Sequence, residues 1–409
     1  MSAPEQSTDR SGGLKILAVL GALSAFGPIT TDIYLPSLPH VADALHTDSA
    51  GVQTSLSTCL VGLALGQLVA GPFSDRWGRR PILLAGMATF AITSVLCAAA
   101  PNIVLLDIFR LLQGVAGAAG IAASMAVVRD LHTGAKAARA YSILMTVSST
   151  APMIAPVLGG QLLRVTDWRG VFGVIAGIGV VLFACTWLWI PETLAPERRH
   201  TGGLAATAAI VPTLITDRVF VGYTLAGGFS FAALFSYISS SPFVFQHGYH
   251  VSPQVFSLLF ALNSLGLILA SSANARLVRH LRPAQLFDAG ISGALIGATL
   301  TLICVLCRVD QLWIIEIPLW VMISTIGFTQ PNATALALDK HANIAGSASA
   351  VLGSVKFVLG AGAASLAGMG GPEGTAMAIV SVVAAVSAVT IRTVLVRRAP
   401  RVAAETSSV

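Results

Sequence analysis

Charge is scarce in this chain of 409 residues, where Asp, Glu, Lys and Arg together make up 10%. Soluble domains carry about 25%, so there is too little charge here to coat a water-facing surface, and an ordinary soluble domain is excluded. Histidine is missing from the middle of every long apolar run: His40, His46, His132, His200, His247, His250, His280 and His341 all fall in loops or at run ends. No histidine relay therefore crosses the chain's apolar layers. Cysteine is limited to five residues, each inside an apolar run, and the pair Cys304 and Cys307 has no second pair beside it. That pattern excludes a disulfide framework and gives no support to a zinc site. There is no Walker A, HExxH or GxSxG motif, so ATP hydrolysis and membrane proteolysis lack a basis, and the chain does not read as an enzyme or as the holder of a cofactor. A net charge of +6 raises the question of nucleic acid. The basic residues, however, sit in short clusters between apolar runs, which is the look of membrane loops.

What is abundant is apolar sequence: 55% hydrophobic residues, 39 glycines and a mean hydropathy of +0.80. Crossing a bilayer takes about 20 apolar residues. Twelve such runs are expected at 14–38, 50–72, 81–99, 103–127, 138–162 and 170–190, then 219–244, 253–275, 284–306, 312–335, 345–368 and 375–396. The first run is too long for a signal-peptide core, so no cleaved leader is expected.

Of the 24 basic residues, 19 fall on the side of residues 1–13 and three, Arg164, Arg169 and Arg308, fall on the other. Arg110 and Lys356 lie inside spans. The positive-inside rule then puts both termini in the cytoplasm. Residues 191–218, with "PETLAPERRHTGG", read as a polar cytoplasmic linker between six-span bundles at 14–190 and 219–396, and 397–409 as a second cytoplasmic tail. The halves echo each other: "IYLPSLP" corresponds to "YISSSPF", and "SDRWGRRP" to "RLVRHLRP". Interrupted spans at matching places point to a transporter's central site.

"GQLVAGPFSDRWGRRPILL" (66–84) is the most specific stretch. Gly71 and Pro72 are expected to end the second span, Gly78 to make a tight turn, and Arg76, Arg79 and Arg80 to stay in the cytoplasm. Asp75 is suited to pairing with an arginine or capping a helix. The stretch "GPFSDRWGRRP" resembles the loop signature of the major facilitator superfamily, and "RLLQGVAGAAG" (110–120) is similar to the fourth-span motif of its drug:proton antiporters. "APMIAPVLGGQLL" (151–163) resembles the antiporter motif of the fifth span, with Ala155-Pro156 where many members show Gly-Pro. "TDIYLPSLP", "DWRGVF" and "SPFVFQHGY" agree with the Bcr/CflA subgroup, exporters of bicyclomycin, chloramphenicol and sulfonamides. The resemblance covers 14–396. It implies an all-α integral membrane fold of twelve helices in two pseudo-symmetric six-helix bundles, with alternating access. It also implies that Pro152, Pro156, Gly159 and Gly160 seal the two halves, and that Arg129 and Asp130 join Asp75 in a network stabilising the outward-facing state.

Five sites carry the chemistry. Asp32, amid Pro28, Pro36 and Pro39, is expected to face an aqueous cavity and carry the proton, or else to be a helix-end acid at the interface. Arg110 either reaches the outer surface with the help of Asp107 or, as the resemblance favours, takes part in proton coupling. Tyr34, Gln113, Tyr237, Ser240 and Asn332 are expected to line the substrate cavity, a polar and aromatic mixture suited to a neutral or zwitterionic compound. Lys356, where the family more often has an uncharged residue, borders that cavity, pairs with Asp32 or has no role. Asp288 and Glu316 read as acids near span ends. The leading expectation is a monomeric, proton-driven drug exporter of the bacterial cytoplasmic (inner) membrane, working on the proton gradient with no cofactor and no nucleic-acid partner. The alternative is a facilitator or a proton symporter for a metabolite on the same fold.

Overall fold

The structure is a computed structural model that describes residues 10–199, 203–341 and 344–397. The tails 1–9 and 398–409 lie outside the described residues. All regular structure among the described residues is helical: α1 (Arg10–Ser24), α2 (Phe26–Asp32), α3 (Leu38–Ala44), α4 (Ser49–Trp77), α5 (Arg79–Ala98), α6 (Ile103–Leu131), α7 (Gly134–Leu162) and α8 (Trp168–Trp189) in the first half. The second half holds α10 (Arg218–Phe243), α11 (Pro253–Leu277), α12 (Pro283–Leu306), α13 (Leu312–Leu338), α14 (Ala345–Gly368) and α15 (Thr375–Ile391), and α9 (Gly203–Thr216) lies between the halves. Helices dominate because hydrocarbon offers no partner to backbone N–H and C=O groups, which must then bond within their own segment. Among the described residues, eleven helices are long and apolar enough to span a bilayer, or twelve if the bent pair Gly13–Ser24 and Phe26–Ala44 is one span. Polar caps fix where spans begin: Asp48 accepts from Gly51 N, Asn102 from Leu105 N, Asp167 from Gly170 N and Asp217 from Val219 N.

The first span bends by 44° at Ala25, upstream of all three of its prolines. Pro28 cannot donate to the Ser24 carbonyl one turn back, and the Ser148 hydroxyl of α7 takes that acceptor at 3.1 Å. A second interruption at Ile33 and Tyr34 leads through a 3-10 turn at Leu35–Ser37. Two further expectations need correction. Gly71 and Pro72 do not end the second span: α4 runs through Pro72 to Trp77, losing one ladder bond. The linker 191–218 is not polar throughout, since its second part forms α9, an apolar helix that touches α4, α10 and α14 and so contacts both bundles.

The bundles meet along α4 with α14 and α7 with α11. Five hydrogen bonds among the described residues join them. Gln246 donates to Pro36 O (3.2 Å), Gln254 to Gly160 O (2.9 Å) and Ser354 to Ala64 O (2.9 Å), while Ser240 reaches Gln53 Oε1 (3.2 Å) and Ser365 reaches Ser57 (2.9 Å). They run from the face opposite the arginine-rich loops to the middle of the molecule. Past Ala64, toward the basic face, Gln67 of α4 still meets Gly353 of α14, and α9 touches both helices. The hydrogen bonds between the bundles close the opposite face.

Candidate functional site

A polar core sits inside the first bundle, toward the closed face. Arg110 on α6 is completely buried. Its Nη1 donates to Thr30 O (2.8 Å) and to Gln113 Oε1 (2.7 Å), and its Nε to Ser55 O (3.4 Å). The guanidinium lies 5.2 Å from the Tyr34 ring and 5.7 Å from Phe172. The Thr30 carbonyl is exposed to it because α2 is about to end. Gln113 passes the chain on, donating to Ser94 Oγ at 2.7 Å. Arg110 therefore does not snorkel. Asp107, one turn away, accepts from Thr54 (2.7 Å) instead. Carbonyls, an amide and two rings take the place of a counter-ion, and Arg110 Nη2 is buried with no partner.

Asp32, at the end of α2, is 4% exposed and makes no ion pair among the described residues. Its Oδ1 accepts from Thr31 Oγ1 at 2.6 Å, and the same hydroxyl lies 3.0 Å from Gly27 O. Thr31 has a single proton for two acceptors. Neither Arg110 nor Lys356 pairs with Asp32.

In the second bundle, Tyr237 stacks on Phe260 with centroids 5.7 Å apart and accepts from Asn263 Nδ2 at 2.9 Å. The same amide donates to Glu316 Oε1 at 2.8 Å. Tyr34, Gln113, Tyr237 and Ser240, expected to line an open cavity, are all buried here, because closure of the opposite face packs that half of the molecule tight. Asn332 does not join them. It donates to Asn274 Oδ1 (2.6 Å) and Phe328 O (2.8 Å), tying α13 to α11. Lying six residues from the basic end of α13, it sits about 20 Å from the level of Tyr237 at 1.5 Å per residue. Lys356 is half-buried against Phe231 (4.9 Å) and Phe357 (5.2 Å), a cation–π site without a carboxylate.

On the basic face, Arg79 is the hub. It is 3% exposed and pairs with Asp75 (2.6 Å) and Asp130 (3.0 Å), while its Nη1 also reaches Ser74 Oγ (2.7 Å). Gly78 holds φ +101, a conformation that a side chain would strain, and this turns α4 into α5. Glu192, after α8, accepts from the backbone N of Arg79 (2.9 Å) and Arg80 (3.3 Å) and so caps α5. Arg80 donates to Trp187 O and covers the Trp187 ring. Arg76 covers Trp77, and Arg129 is exposed, so the partner of Asp130 is Arg79, not Arg129. Every contact of this network lies within the first bundle and the start of the linker that follows it. In α7, Pro152 and Pro156 lie within the helix, and Gly159 and Gly160 face Ile33 and α11; a Cβ on Gly159 would run into the Ile33 carbonyl.

At the basic start of α10, burial presses the Asp217 carboxyl upward. The amides of Val219 and Phe220, with His341 and Lys340, outweigh burial and hold it below the usual carboxylate range.

Glu192, Gln53, Gln246 and Gln254 were not singled out from the sequence. The signal for the Glu316 cluster was present, since Asn263 is an amide in the middle of an apolar run.

A family model described as Major Facilitator Superfamily matches residues 19–365. The chain belongs to the major facilitator superfamily. This transporter, not an enzyme, is 38% identical over 358 residues to the uncharacterized MFS-type transporter YdgK of Bacillus subtilis, covering 87% of this chain and 89% of that one. It is 30% identical to a bicyclomycin resistance protein homolog of Haemophilus influenzae (84% and 86% covered) and 27% identical to a chloramphenicol resistance protein of Pseudomonas aeruginosa (81% and 78% covered). These relatives set it with the Bcr/CflA type of drug transporter. Its fold matches the xylose transporter XylE from E. coli with a TM-score of 0.72 at 14% identity, over 92% of this chain and 97% of that one.

Proposed function

We propose that this transporter exports small neutral or zwitterionic antibiotics of the phenicol or bicyclomycin type in exchange for protons, by alternating access, as a monomer that needs no cofactor. The observation that carries the proton half is Asp32: a carboxylate at a broken span, 4% exposed, without a cation, sharing one hydroxyl proton with a backbone carbonyl. A proton arriving on Asp32 gives that group of acceptors a second donor. Arg110 orients the site from the neighbouring turn. The drug half is supported by the relatives' names and by the aromatic and polar faces of Tyr34, Tyr237 and Ser240, which separate when the closed face opens. The basic face is the cytoplasmic one, by the excess of Lys and Arg there, which puts both termini inside. The proton gradient suffices as the energy source, since one charge crossing 100 mV releases about 2.3 kcal/mol.

The test is proton-driven uptake of chloramphenicol and bicyclomycin into everted vesicles from cells making the wild type or Asp32→Asn. Uptake that collapses with the gradient, and is absent from Asp32→Asn at equal expression, is expected. Full drug resistance in the Asp32→Asn strain overturns the role of Asp32. Uptake into right-side-out vesicles in place of everted ones identifies a symporter.

A further inference from the structure

We propose that Glu316 is a second proton-binding site, built into the second bundle and separate from Asp32. It extends the proton-coupled reading above, but its first measurement does not depend on transport.

Glu316 is 1% exposed on α13, four residues in from the closed face. Oε1 accepts from Asn263, and both N–H groups of that amide are already committed, one here and one to the Tyr237 hydroxyl. Two acceptors are left over. Glu316 Oε2 and Asn263 Oδ1 are both buried and neither has a donor. An ionised carboxylate only accepts, whereas a protonated one donates. One proton on Oε2 removes one orphan acceptor and makes the carboxyl a donor beside the other. Buried acceptors without donors are costly, so the cluster is shaped for that proton.

No other group competes for it. From α10 the titratable group facing Glu316 is Tyr237, and from α11 it is met by Asn263. From α12 the Cys304 thiol is turned to the Ile314 carbonyl. No Lys, Arg or His pairs with Glu316 among the described residues. A small cleft of about 180 Å³ reaches Glu316 itself and is otherwise lined by Leu262, Trp313, Ile317 and Trp320, none of them ionisable, and the indole N–H of Trp320 is already given to Leu262 O. The site also has a route to the bundle interface. Tyr237 lies one turn before Ser240, whose hydroxyl bonds Gln53 of the first bundle. Protonation at Oε2 forms one O–H bond with a proton drawn from water at the closed face when it opens. Release to the basic face breaks the same bond, with no redox change.

The experiment is pH-titrated infrared difference spectroscopy on the full-length protein in lipid nanodiscs. The wild type is expected to show two protonated-carboxyl C=O bands, one lost in Glu316→Gln and the other in Asp32→Asn. Asn263→Ala should shift the Glu316 band and leave the Asp32 band in place, which reads the site even if Glu316→Gln folds poorly. A wild-type spectrum with no band sensitive to either Glu316→Gln or Asn263→Ala overturns the proposal. So does a band that vanishes when sodium chloride replaces choline chloride at constant pH, because an alkali ion then fills the site. In proteoliposomes the protons moved per chloramphenicol should fall about twofold in Glu316→Gln. If the wild type moves drug without protons, the exporter reading fails while the Glu316 band still stands.

Discussion

Replacing Arg79 with alanine separates a buried ion pair from an exposed one. Arg79 and Asp130 have side chains 3% and 5% exposed, whereas Asp75 is 39% exposed. In Arg79→Ala, Asp130 keeps only the Thr193 hydroxyl at 3.2 Å. Removing one partner of a buried pair costs about 3–5 kcal/mol, because the other charge stays buried and unpaired. Asp75→Ala removes an exposed pair and costs about 1 kcal/mol or less. Glu192 bonds to backbone amides, so its capping of α5 survives both changes. A double-mutant cycle on thermal unfolding in nanodiscs should give a coupling above about 2 kcal/mol for Arg79 with Asp130, and below about 1 kcal/mol for Arg79 with Asp75. Equal couplings would refute the argument that burial decides. The same cycle separates stability from motion. Asp75→Asn should keep drug binding yet slow transport, since its exposed carboxylate can exchange partners as the two bundles move. Normal transport in that variant removes Asp75 from the conformational cycle.

Three further outcomes follow. Gly159→Val should push α7 off Ile33, costing the closed opposite face about 1–3 kcal/mol; spin-label distances between residues 36 and 246 should lengthen and transport fall, with Gly173→Ala, in open space on α8, as the silent control. Asp217→Ala should cost about 1–2 kcal/mol through the lost cap of α10. Since the folded carboxyl sits below its unfolded value near 3.9, this contribution is present above about pH 4 and disappears as the pH falls through the folded value, so a gap between variant and wild type that persists in strong acid counts against it. Lys356→Gln should admit quaternary ammonium dyes relative to phenicols, by removing a cation held over Phe231 and Phe357; unchanged selectivity makes Lys356 a bystander.

The twelve spans were legible because lipid imposes one requirement on every backbone group, and a run of apolar residues meets it. The apolar helix α9 was not, since its 14 residues are too few to span and follow a charged stretch. The prolines of the first span announced a break without placing it. Its position depends on which freed carbonyl finds a substitute donor, and Ser148, on a helix over a hundred residues away, provides one at Ser24. The charged residues of the site were likewise visible, but their partners were not. Arg110 chose carbonyls and rings over Asp32, and Asp130 chose Arg79 over Arg129, choices set by helix packing that periodicity does not encode.

Three of the five hydrogen bonds that hold the bundles together accept on main-chain oxygens: those of Pro36, Gly160 and Ala64. Every residue type carries that oxygen. Substitutions at Pro36 and Ala64 leave those acceptors chemically intact, provided the local backbone keeps its path, whereas Gly160 is held to glycine by Ser257 of α11. If the proposed export holds, side chains around Tyr34 and Tyr237 can change toward new compounds while those main-chain bonds persist. A carrier built this way can alter what it grips while keeping the bonds that hold its two halves together.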